Sequence, residues 1–337
     1  MTTRSLTRFP LAAAAFSLAL AGQADAAIIA AEQVLTGTDP AAGEYFAYPS
    51  EDGRLTSGAN APQNPANPGF SGGWGGGGTS LWRVQEAGLD HFGIANEAGG
   101  AFQFSWNAEF DRRVTRAVSS TVPTAAGSTL WMSTLVQMQA PDADGDGIVL
   151  AGFADDATGA SETNGVRFGL VSDGAGGTQI VVRHRADTNP APGFNGADVA
   201  QTDTVLGMAN PGQTYLILAK IEKDVIAAGD ILTGNDRLSL WLDPQVTSGN
   251  EADLGAPDAV AESFAWFNPT AFDTLALVGV NWVPTGAPAA GEDTLGVLFD
   301  EMFLGETLAD VAAAVPEPSR AMLMFAGLAA LAFRRRR

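Results

Sequence analysis

Asp142-Ala143-Asp144-Gly145-Asp146-Gly147 sets three carboxylates at alternate positions with a glycine at the sixth. The first half of an EF-hand loop gathers oxygens around one hard cation with the same pattern. The second half does not follow. The twelfth position, where such a loop needs a bidentate glutamate, is Phe153, and the flanking residues read as strands instead of helices. Asp155 and Asp156 would add oxygens if the next strand folded back. Two readings stay open: a weak calcium site on Asp142, Asp144 and Asp146, or a solvated acidic hairpin turn between Met138 and Ile148.

Other chemistry is less well supplied. A retaining glycosidase needs two carboxyl groups about 5 Å apart, most simply from one strand as Glu-x-Asp-x-Glu. That triplet does not occur. Asp300 and Glu301 are adjacent, so regular alternation sends them to opposite faces, although Glu301 lining a cleft is a second option. His91 and His184 are the only histidines, too few for a His-based metal site, and no serine stands in a G-x-S-x-G elbow. His184, between Arg183 and Arg185, reads as a cross-strand surface residue. Gly73, Gly75 and Gly78 fit G-x-G-x-x-G without the strand and helix a dinucleotide site requires, and Thr79 replaces the P-loop lysine. No catalytic set is complete and no cofactor is required. Seven tryptophans offer faces for stacking on sugar rings; Trp131 and Trp241 lie in apolar strands and belong inside, whereas Trp74 and Trp266 lie near loops and are the candidates for exposure.

The elements that would hold these residues are strands. Residues 129–138, 148–153, 165–172, 178–185, 214–222, 237–242, 274–282 and 296–305 are short runs rich in apolar and β-branched residues, bounded by Gly, Asn, Asp or Pro. Several alternate, as in Arg237-Leu238-Ser239-Leu240-Trp241-Leu242, the pattern of a sheet with one wet face. Residues 306–314 make at most a short terminal helix, and 39–78 are Gly-, Pro-, Asn- and Ser-rich loop. The fold class is therefore all-β, an antiparallel sandwich of jelly-roll type occupying residues 27–314. With no cysteine, an ordinary hydrophobic core must supply the stability. The net charge of −20 repels phosphate backbones and anionic headgroups, which argues against nucleic acid and direct membrane adsorption as partners. Divalent cations, cationic polymers and neutral glycans stay open.

The two ends read as processing signals. Arg4 and Arg8 precede an apolar run over 11–20, and Ala24-Asp25-Ala26 offers the small residues that signal peptidase accepts at −3 and −1, so cleavage is expected after Ala26. At the other end Val315-Pro316-Glu317-Pro318-Ser319-Arg320 precedes an uncharged, mostly apolar run over 321–333 and four arginines, Arg334 to Arg337. As a helix that run rises about 20 Å, against a hydrocarbon core of roughly 30 Å, which suits transient insertion in the inner membrane better than permanent residence. The arginines stay cytoplasmic. This tripartite tail resembles the PEP-CTERM sorting signal of Gram-negative bacteria. The resemblance implies recognition of the Pro-Glu-Pro motif by an exosortase, removal of the tail, and delivery to the cell envelope or an exopolysaccharide matrix.

A second resemblance covers about residues 34–311. Tyr215 to Lys220, Leu238 to Pro244, Phe299 to Gly305, then Thr307 and Ala309-Asp310-Val311, together look like the LamG-like, concanavalin A-type jelly rolls, and the Trp74 segment and residues 130–136 sit where that family has its first core strands. The superfamily shares its fold among lectins, glycosidases and adhesion modules, so the resemblance implies architecture and leaves activity open. The expectation is an exported, non-catalytic structural or adhesive protein associated with exopolysaccharide or biofilm. The alternatives are a lectin-like carbohydrate-binding module, with or without calcium, and a glycoside hydrolase.

Overall fold

The computed structural model describes residues 28–32, 69–75, 82–85, 88–91, 94–95, 100–104, 112–120, 122–123, 125–154, 165–185, 201–223, 236–246, 249–264, 272–285 and 296–312. Both expected processing signals, with Ala24, Ala26 and Val315 to Ser319, lie outside them, as do Trp106, Trp266, Asp155 and Asp156.

The first strands are β1 (Ile28–Glu32), β2 (Phe70–Gly75), β3 (Trp82–Gln85), β4 (Asp90–His91), β5 (Ile94–Ala95), β6 (Ala101–Phe104) and β7 (Arg112–Val118). Then come β8 (Thr129–Met138), β9 (Ile148–Ala154), β10 (Gly165–Ser172), β11 (Thr178–Arg185), β12 (Gln201–Met208), β13 (Thr214–Glu222) and β14 (Asp236–Leu242). The chain closes with β15 (Ala259–Phe264), β16 (Thr274–Val280), β17 (Val297–Gly305) and a short helix, α1 (Leu308–Ala312). All eight expected strands are present, with ends shifted by at most two residues, and the expected terminal helix forms.

Two antiparallel sheets face each other. One has the order β15-β14-β13-β8-β17-β6-β3, with β1 added beside β17; the other runs β12-β11-β10-β9-β16-β7-β2. Consecutive strands repeatedly change sheet: β8 to β9, β12 to β13, β15 to β16 and β16 to β17 all cross the sandwich. Between the sheets lies one continuous core that includes Trp82, Phe102, Phe153, Phe168, Leu277, Trp282 and Phe299. Such alternation of inward apolar residues from both sheets is what an antiparallel sandwich requires.

Two expectations about the glycine-rich segment are corrected. Phe70–Gly75 is a strand pairing with β7, and Trp74 is buried, meeting Phe102 edge-on at 5.2 Å between ring centres. A strand built from FSGGWG carries few side chains of its own, which lets the indole reach across to the opposite sheet. Trp131 and Trp241 are buried as expected, but outside the main core. They stack at 5.7 Å on the far face of the first sheet, in a second cluster with Leu218, Phe303, Leu308 and Val311 that α1 covers.

Candidate functional site

Asp142 begins the crossing from β8 to β9, and its carboxylate is fully engaged. Oδ2 accepts hydrogen bonds from the backbone N–H groups of Gly145 and Gly147 and from the Ser172 hydroxyl, each at 2.8 Å; Oδ1 accepts one from Val283 N–H at 2.7 Å. The side chain is buried. Three segments meet on it: its own loop, the end of β10, and the stretch after β16. Backbone bonds from Ala143 to Val283 at 2.6 Å and from Thr285 to Pro141 at 2.8 Å tie the same two crossings together. This is not a hairpin turn, because β8 and β9 belong to different sheets.

The glycine at the sixth position has a local cause. A β-carbon on Gly147 would lie 2.8 Å from the Asp142 carboxyl carbon and 3.0 Å from the α-carbon of Trp282. Asp144 and Asp146 are exposed, and Asp146 accepts a bond from the Asn281 amide at 3.0 Å. Among the described residues no three carboxylate or imidazole groups converge as a metal site would require. The spacing that resembles half a calcium loop here winds the backbone around one aspartate.

Asp300 and Glu301 depart from regular alternation. The β17 ladder is bulged between Asp300 and Phe303, and Glu301 has φ 50°, in the left-handed region that favours glycine. The expected opposite orientation is thereby lost. Glu301 lines a small apolar cavity on the far face of the first sheet, with Ser133, Leu216, Val246 and Phe303 around it. Asp300, on the same face, accepts from Leu89 N–H and Glu301 N–H, both at 2.9 Å. Both side chains are buried.

The two histidines also serve packing. His91 Nε2 lies 2.8 Å from Asp243 Oδ1, which in addition accepts from Leu216 N–H at 2.8 Å. His184 is cross-strand as expected but buried instead of on the surface, with Nε2 at 2.7 Å from the Thr204 hydroxyl. Sequence reasoning missed a buried ion pair: the Glu32 carboxylate accepts from the Arg116 guanidinium across the sandwich, joining β1 to β7. The three arginines of Arg112–Val118, at 112, 113 and 116, were the available signal, since neighbouring residues of a strand point to opposite faces and one face had to be the core.

No protein-family model and no curated protein matches the sequence. Among solved structures, the chain is similar to the T. cruzi calreticulin globular domain at 13% identity and TM-score 0.40, over 73% of this chain and 95% of that one. The Emp47p carbohydrate recognition domain matches at 12% and 0.38, over 80% and 99%. The endo-beta-1,4-glucuronan lyase from the fungus Trichoderma reesei matches at 12% and 0.37, over 71% and 96%. The two facing sheets themselves define the class, an antiparallel β-sandwich, and such a fold does not fix an activity.

Proposed function

We propose that the chain is an exported, non-catalytic structural or adhesive protein of the cell envelope or extracellular matrix, with a LamG-like, concanavalin A-type body sorted through its tail by an exosortase. The observation that carries this reading is the order of residues 315–337: Pro316-Glu317-Pro318, then an apolar run too short for comfortable permanent spanning, then Arg334 to Arg337. The non-catalytic part is supported by the use made of the most eligible groups. Asp142, Asp300 and Asp243 each accept backbone hydrogen bonds that hold loops against strands. Association with a neutral exopolysaccharide suits the net charge of −20 better than association with an anionic one.

The test is processing. With Pro316, Glu317 and Pro318 replaced together by alanine, the protein is expected to keep its tail and stay in the inner membrane, while the parent chain loses it. Mass spectrometry of the C-terminal peptide reads the difference. Identical tails in the two would overturn the reading.

A further inference from the structure

We infer that the Asp173-Gly174 bond is a site of spontaneous modification, where aspartate converts to isoaspartate, and that Asp142 withholds the same chemistry from two Asp-Gly bonds beside it. Among the described residues the Asp-Gly bonds are Asp144-Gly145, Asp146-Gly147 and Asp173-Gly174. Exposure does not separate them, since all three aspartates are exposed. Nor do their surroundings, because the two turns are neighbours: a β-carbon on Gly145 would lie 3.5 Å from the Gly174 α-carbon. What separates them is the amide of the glycine. Gly145 N–H and Gly147 N–H each donate to Asp142 Oδ2 at 2.8 Å. Gly174 N–H has no acceptor among the described residues. Its turn is closed instead by Ala175 N–H and Gly177 N–H, which both donate to Asp173 Oδ1 at 2.8 Å.

The reaction uses that glycine amide. Its nitrogen loses its proton to solvent and attacks Cγ of the preceding aspartate, unobstructed because glycine has no β-carbon. A C–N bond forms, the Cγ–OH bond breaks, and the hydroxyl leaves with a proton as water, closing a succinimide ring. A second water opens the ring. Attack at the main-chain carbonyl breaks its bond to nitrogen and leaves the chain running through Cγ, the isoaspartate; attack at Cγ restores aspartate. Nothing is oxidised or reduced, and the mass is unchanged. At Gly145 and Gly147 the departing proton must first give up a charge-assisted hydrogen bond, a handicap of about tenfold or more, and the charge left on nitrogen faces the Asp142 carboxylate. At Asp173 the two donors to Oδ1 face the oxygen on which charge gathers as Cγ is attacked. Conversion takes the carboxyl group off the Asp173 side chain and adds a carbon to the main chain of the β10–β11 turn. The chemistry is independent of how the protein is sorted.

The test ages the full chain at neutral pH and physiological temperature, folded and in denaturant, and locates isoaspartate in its peptides by electron-transfer fragmentation. In denaturant the three bonds are expected to convert at similar rates. In the folded chain Asp173 should convert at least about tenfold faster than Asp144 or Asp146. Asp142→Ala should close that gap, whereas Trp241→Ala, which perturbs the cluster under α1, should keep it. A smaller gap in the folded parent chain, a gap that survives Asp142→Ala, or one that Trp241→Ala also abolishes would overturn the inference. The comparison of folded with denatured parent needs no variant and decides the matter even where Asp142→Ala does not fold.

Discussion

Replacing Asp142 with alanine should cost about 3–5 kcal/mol, because it leaves the backbone N–H groups of Gly145, Gly147 and Val283 and the Ser172 hydroxyl, drawn from three segments, without their shared acceptor. Asp144→Ala and Asp146→Ala, at exposed positions, should stay within about 0.5 kcal/mol. Denaturant midpoints of the three variants check this. Since the Asp142 oxygens are committed to protein donors, millimolar calcium is expected to raise the melting temperature no more than magnesium does at equal ionic strength. A calcium-specific rise lost in Asp144→Ala would contradict that. The motif was legible, and so was the choice it posed between a cation and a turn, which the comparison of calcium with magnesium decides. A backbone curling over a cation and one curling over a single carboxylate demand the same acidic and glycine positions, and only the direction of the other two carboxylates separates them. Lys220 offers a pH handle. Burial lowers the affinity of its ammonium for the proton, but hydrogen bonds and charge attraction from Glu251 and Glu222 outweigh that and hold the pKa above the usual 10.5. A raised folded-state value contributes stability fully below 10.5 that disappears as pH rises through the higher value. The unfolding midpoint should therefore fall in that alkaline range, and Lys220→Met should remove this component.

At the level of elements, strands with one wet face or a long apolar run were legible to within two residues, as Thr129–Met138 and Thr178–Arg185 show. Those missed break the pattern for physical reasons. Arg112–Val118 turns an arginine inward, Phe70–Gly75 replaces side chains with glycine, and Gln201–Met208 is an edge strand with polar residues on both faces. The β17 bulge was invisible because Asp300-Glu301 carries no glycine where the left-handed residue sits. The satellite cluster under α1 gives a test of element packing. Trp241→Ala removes the ring stacked on Trp131 and the bond from its indole N–H to Gly255 at 3.3 Å. A loss of about 3–5 kcal/mol is expected in a chemical denaturation curve, without loss of the strand signal in circular dichroism, because the main core lies on the other face of the sheet.

At the level of the whole molecule, repeated crossings between the two large sheets make one core answer for both of them. Tryptophan fluorescence and far-ultraviolet circular dichroism should therefore report the same unfolding midpoint, and two separated transitions would show independent units instead. Glu32→Ala should cost about 3–5 kcal/mol by leaving Arg116 without its buried carboxylate partner, and that loss should shrink in the double variant Glu32→Leu with Arg116→Met. The pairing of β1 with β17 has a mechanical side as well. Ile28 stands opposite Gly305, so the outward ends of these two strands lie at the same end of the ladder. Antiparallel hydrogen bonds run perpendicular to the strands. Force drawn between those ends concentrates on the first bonded pair and unzips β1 step by step, at low load. Force that enters through Gly305 and leaves by another loop meets a strand flanked by β8 on one side and by β6 and β1 on the other, and must shear both flanks at once. A body held through Gly305 alone is thus held by a strand paired on both edges, and the same body pulled between Ile28 and Gly305 parts first at β1.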